Sequence, residues 1–240
     1  MGMTNTETRH VPTVPPAAAS VSSTAGRSRI PLDAPGGIVG RLLTGYARRR
    51  FGQVPESLLA LARNPRVLRS HVRYEMSAAR WDALDPQLKA LAEMAASAAI
   101  DCSWCMDFGY YMAHSQGLDM VKIASVTSWR AAAVFTDVER AVLEYTEAMT
   151  STPPTVTDDM VAGLRTELGD AALVELTMMV AVENLRSRVN AALGLTSQGF
   201  SESCRVPLQP VADRTGPLPD AADGRGPDDA AAGGTPRNRP

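Results

Sequence analysis

Two cysteines, Cys102 and Cys105, stand three residues apart in the stretch SAAIDCSWCMDFGYYMAHSQGLD. Three-residue spacing on a helix brings side chains within roughly 5–6 Å at Cβ, close to the separation a disulfide bridges. A helix N-terminus also favours the thiolate, the reactive form of cysteine. The pair can therefore cycle between dithiol and disulfide, one sulfur being attacked and the other resolving the intermediate. Asp101 is expected to cap the helix that carries them. Asp101 and Asp107 flank the thiols, and their charge is expected to oppose thiolate formation. A second group of candidates, Glu175, Asn184 and Arg188, lies in the last apolar segment, where a buried carboxylate must find a partner or take up a proton. Asn184 and Arg188, four apart, are expected to form a polar strip facing the cysteine helix. His114 lies nine residues beyond Cys105, about 13–14 Å of helical rise and half a turn off its face, and is read as a helix-end histidine. Cys204 and His114 do not complete a zinc set with the pair, so no metal is expected, and no motif calls for a cofactor.

These residues need helices to hold them. The 240-residue chain is 45% hydrophobic but only 5% aromatic, so Ala, Leu, Val and Met must build its core, and these favour helix. A formal net charge of -2 gives no basis for nucleic-acid binding. No apolar run approaches a membrane span, and the N-terminus lacks the order of a secretory signal, so a soluble cytoplasmic protein is expected. Residues 1–29 and 209–240, rich in Pro, Ser, Thr, Gly and Ala, are expected to be disordered around one helical domain at 30–208.

Within that domain the punctuation is local. Helices are expected at Ile38–Phe51, from Pro55 through ESLLALAR, at Arg66–Arg80, from a cap at Asp85 to the cysteines, at Met120–Thr127 after Asp119, and at Val138–Met149. Two more follow: one capped by Thr157, and a last one from Ala171 to Leu193 after a stop at Gly169. No strand alternation appears. The fold class is all-α, an antiparallel helical assembly.

The cysteine stretch together with VELTMMVAVENLRSRVNAALGL resembles the carboxymuconolactone decarboxylase family, which includes the alkylhydroperoxidase D-like proteins; the resemblance covers about Arg29 to Pro207. It implies an all-α fold, homotrimers or hexamers, and a thiol-based peroxidase activity. The chain departs from the peroxidase-type members where their proton relay lies. Ala90 stands at the glutamate position, Trp104 at the histidine between the cysteines, and Gly109 at the later histidine; only Cys102 and Cys105 carry over. Glu93, three residues after Ala90, is the nearest replacement. Gly109 leaves either room for a substrate or space for close helix packing, and Trp104 either walls a pocket or packs.

The expected function is a thiol–disulfide oxidoreductase acting weakly on a small peroxide, with a thiol protein as reductant. The alternatives are a lyase on a carboxylated ring compound, with Arg188 as clamp, and a non-catalytic oligomer that senses redox state.

Overall fold

The computed structural model describes residues 28–204. The expected tail at 209–240 and nearly all of the expected leader lie outside the described residues. Eight α-helices run in order: α1 (Gly37–Phe51), α2 (Glu56–Leu61), α3 (Pro65–Ala78), α4 (Pro86–Ile100), α5 (Ser103–Ser115), α6 (Met120–Ser125), α7 (Asp137–Thr150) and α8 (Asp158–Leu193). Single 3-10 turns occupy Val126–Ser128 and Ser201–Cys204. Among the described residues there is no strand, and no helix is long and apolar enough to cross a membrane.

The helix starts follow from capping chemistry. Asn64 Oδ1 accepts the backbone N–H of Arg66 and Val67, and Asp85 Oδ1 accepts those of Gln87 and Leu88. Each cap is followed directly by a proline, whose missing N–H costs nothing in the first turn. Asp119 caps α6 and Thr157 caps α8 in the same way, while Thr136 and Glu139 form a reciprocal capping box at α7. The expected stop at Gly169 is a kink inside α8, where φ is 78° and only glycine is unstrained. The helix expected over Met120–Thr127 ends at Ser125 and tightens into the 3-10 turn.

Helix α4 is the central element, packed against α5, α7 and α8. One face gives Leu88 and Ala92 to a cluster with Val142 of α7 and Leu176 and Val180 of α8. Its neighbouring face gives Leu91, Met94 and Ala95 to Tyr110 of α5, Ile123 of α6 and Leu143 of α7. A helix buried on so many sides reads as apolar nearly all round, which is why its alanine-rich sequence shows little amphipathic period. Gly109 of α5 lies against α4: a Cβ there would stand 2.9 Å from Met94 Sδ. The glycine is thus used for close packing and leaves no room for a substrate.

Candidate functional site

Between α4 and α5 the chain turns through Asp101, which takes a left-handed conformation (φ 61°, ψ 42°) and ends α4. Aspartate tolerates this better than most residues. The expectation that Asp101 caps α5 is corrected: Cys102 is the N-cap, and its Sγ accepts the backbone N–H of Cys105 at 3.3 Å. One of the free first-turn amides of α5 therefore points at the sulfur. Asp101 is exposed and ends the previous helix instead, because the turn needs one residue in the left-handed region before α5 can start.

Both sulfurs are buried, Cys102 at 3% and Cys105 at 6% exposure, and they are unbridged. The pair divides its proton unequally. The hydrogen bond from Cys105 pulls the Cys102 thiol below its usual range; burial opposes this and the Cys105 amide assists. The same hydrogen bond, with burial, pushes the Cys105 thiol up. The two shifts run in opposite directions and favour the thiolate at Cys102 over Cys105. Asn190 of α8 donates Nδ2–H to Cys105 Sγ at 3.3 Å.

Helix α8 supplies what the α4–α5 segment lacks. Glu183 is 4% exposed, and its Oε1 lies 2.8 Å from both Ser97 Oγ of α4 and Ser187 Oγ of α8. Ser187, fully buried, stands near both thiols, and its hydroxyl acts to lower the pKa of each. Burial raises the Glu183 carboxyl above its ordinary range; Arg186 opposes this and the charge of Glu93 adds to it. The hydrogen bonds are consistent with a protonated acid. Ser97 has one hydroxyl hydrogen and two acceptors at 2.8 Å, Glu93 O and Glu183 Oε1. A proton on Glu183 satisfies both contacts.

Behind Glu183, Arg186 gathers three carboxylates from three helices. It reaches Glu93 Oε1 of α4 at 2.8 Å, Glu183 Oε2 at 3.2 Å and Glu75 Oε2 of α3 at 2.5 Å. His71 Nε2 sits 3.4 Å from Glu75 Oε1. Glu93 is accordingly beside the site but turned to Arg186 and not to sulfur.

The second group of candidates is placed elsewhere. Glu175 pairs with Lys89 of α4 at 2.5 Å and accepts Ala83 N–H at 2.8 Å. Burial would raise its pKa, but these partners win and hold it below the usual range. Asn184 donates to Thr150 Oγ1 at 2.9 Å, and Arg188 donates to Thr150 O at 3.3 Å. Asn184 and Arg188 hold the end of α7, so the polar strip expected to face the cysteine helix faces α7 instead. The strip that does reach the thiols is Glu183, Ser187 and Asn190, at i, i+4 and i+7. That spacing was present in the sequence, one residue out of phase with Asn184 and Arg188.

Asp107 does not oppose the thiolate as expected. Its carboxylate turns away and accepts three backbone amides, from Gln198 (2.9 Å), Phe200 (3.0 Å) and Ser201 (2.7 Å). Burial would raise its pKa, and the amides outweigh burial. Trp104 is packed rather than lining an opening: it stacks on Phe108 with centroids 5.0 Å apart and donates to Gln198 Oε1 at 2.8 Å. His114 is exposed at the end of α5.

A largely apolar cavity of about 430 Å3 opens beside the site, with Leu61, Val67, Leu185 and Val189 among its walls and Arg186 and Asn190 at the thiol side.

Residues 65–148 match the Carboxymuconolactone decarboxylase family model. An uncharacterized protein of Escherichia coli K12, YnjA, is 34% identical over 124 residues, 52% of this chain; the chain spans 66% of that relative's length. Among solved structures, the alkylhydroperoxidase AhpD core protein of Ralstonia eutropha JMP134 superposes with a TM-score of 0.64 at 20% identity, covering 75% of this chain and 97% of that one. The debrominase Bmp8 in complex with 2,3,4-tribromopyrrole gives 0.64 at 16% identity, over 74% and 97%. The helical fold is the alkylhydroperoxidase D-like one.

Proposed function

We propose that this chain, whose residues 65–148 match the Carboxymuconolactone decarboxylase family model, acts as a dithiol oxidoreductase of peroxidase type. Cys102 is the nucleophile, Cys105 the resolving thiol and Glu183 the acid. The observation that carries this reading is the buried polar strip of α8 beside the thiols: Glu183 hydrogen-bonded to Ser187, and Asn190, one turn on, donating to Cys105 Sγ. The residues at Ala90, Trp104 and Gly109 offer no acid, and Glu183 brings one from another helix.

The steps balance. The Cys102 thiolate attacks the terminal oxygen of a hydroperoxide; the S–O bond forms, the O–O bond breaks, and the alkoxide leaves with the proton of Glu183. Cys105 then attacks the Cys102 sulfenic acid, and its proton departs with the hydroxyl as water, leaving the disulfide. A dithiol reductant restores the thiolate–thiol pair, and one of its protons returns to Glu183. Proton delivery to the leaving oxygen is what general-acid catalysis contributes, typically about 10²–10⁴-fold.

Arg188, the clamp a lyase would need, is engaged with Thr150, which removes that reading's support. The test is peroxide turnover with dithiothreitol as reductant in the wild type and in Cys102→Ser, Cys105→Ser and Glu183→Gln. Loss in all three supports the assignment. Undiminished turnover in Glu183→Gln would remove the acid, and turnover without Cys102 would reject the nucleophile.

A further inference from the structure

We infer that the cavity beside the thiols binds an apolar molecule carrying a single anionic group, and that Arg66 selects for the anion. As an account of substrate choice this rests on the dithiol reading above.

The cavity walls are mainly aliphatic, and no carboxylate lines them; the ionic residues that do are Arg66, Arg186 and, when protonated, His71. Arg186 cannot serve as a receptor, because its guanidinium is already shared among Glu75, Glu93 and Glu183. Arg66 is different. It is exposed, and among the described residues its guanidinium has no ion pair. It also stands in the first turn of the 14-residue α3, where the positive end of the helix adds to its charge. An arginine fork in such a place recognises a carboxylate or similar oxyanion bidentately.

Beside the thiols, Asn190 is 4% exposed and forms part of the same lining. One of its Nδ2 hydrogens is given to Cys105 Sγ, while its carboxamide oxygen receives no hydrogen bond from a described residue. That oxygen remains to accept a hydroxyl or hydroperoxyl hydrogen. Leu61, Val67, Leu185 and Val189 also line the cavity and reward an alkyl or aryl body, with the hydroxyls of Ser57 and Ser70 beside them. The proposed pose sets the anion at Arg66, the apolar body on these aliphatic side chains and the reacting group at Asn190.

The experiment uses octanoate, 1-octanol and propionate as probes, with binding to the full chain measured by calorimetry in the wild type, Arg66→Gln and Val189→Phe. An ionic hydrogen-bonded contact is worth about tenfold or more in affinity, so octanoate should bind at least about tenfold tighter than octanol. Arg66→Gln should remove that advantage and leave octanol unchanged. Propionate, too short to use the walls, should bind weakly, and Val189→Phe, which fills the cavity, should weaken octanoate in a protein whose circular dichroism is unaltered. Equal affinity for octanoate and octanol, or undiminished octanoate binding in either variant, overturns the proposal. No turnover is involved, so the two readings fail separately. Selective octanoate binding without peroxide turnover rejects the redox assignment alone; turnover without selectivity rejects the anion assignment alone.

Discussion

At the scale of single residues, the site turns on how two buried groups share protons. The proposed mechanism uses Cys102 as thiolate and Glu183 as acid, so kcat/KM is expected to be bell-shaped in pH, and Glu183→Gln should lose the limb that Glu183 governs along with most of the activity. The same carboxyl has a consequence for folding. Its folded-state pKa is raised by burial, so between its unfolded value and that raised value the native state binds the extra proton. Stability then falls as pH rises through this window. Glu183→Gln cannot lose a proton, so its Tm should gain on the wild type as pH increases from about 4.3 upward, the unperturbed glutamate value. A gap that does not change with pH would show that Glu183 is ionised throughout.

Among elements, α5 is held from both ends of its first two turns: Cys102 caps it, and Asp107 ties it to the segment 198–201. Three amides converge on the Asp107 carboxylate. Asp107→Ala should cost on the order of 3 kcal/mol by chemical denaturation, since hydrogen bonds to a charged group are worth about 1.5–3 kcal/mol each and partial rehydration recovers some. Its pKa is held low, so this stabilisation is fully present above the unfolded value and is lost as pH falls through the folded one. Helix starts such as Asp85, Asp119 and Thr157 were legible in the sequence because a cap is written within four residues. The cap at Cys102 was not, because Asp101 offered the better capping side chain. Only the left-handed turn that ends α4 decides between them. The Glu183–Ser187–Asn190 strip was missed for a related reason. A helix buried on most sides has no polar face to set the phase, so choosing between it and Asn184–Arg188 requires knowing where α4, α5 and α7 sit.

For the whole molecule, Arg186 is the tie that joins α3, α4 and α8 through Glu75, Glu93 and Glu183. Arg186→Met would leave the Glu75 and Glu93 carboxylates beside the buried Glu183 without a counter-charge, and should destabilise the fold by about 3 kcal/mol, in line with breaking a partly buried ion cluster. Arg186→Lys should recover only part of this, since one ammonium cannot reach all three. Much apolar surface also remains outside. Ile38, Leu42 and Tyr46 lie four apart along α1 and are each at least 65% exposed, and Val174, Met178 and Leu185 are exposed on α8. A row of that kind on one helix marks a surface for association. Light scattering at micromolar concentration is expected to return a multiple of the 25.5 kDa chain mass, a trimer or hexamer as the family resemblance implies. Leu42→Glu should lower it. A monomer mass for the wild type would reject the assembly.

The sulfur of Cys102 serves the architecture as well as the chemistry, since it is the acceptor that starts α5. That double employment makes the choice of substitute at position 102 diagnostic. Serine is among the better N-cap residues, so a hydroxyl there can take over the amide of Cys105 while being inert to peroxide. Alanine supplies neither, and losing a cap costs about 1 kcal/mol. A Cys102→Ser chain should therefore be silent yet as heat-resistant as the parent, and Cys102→Ala silent and weaker. The difference between two inactive proteins would measure what the thiol contributes to the helix alone.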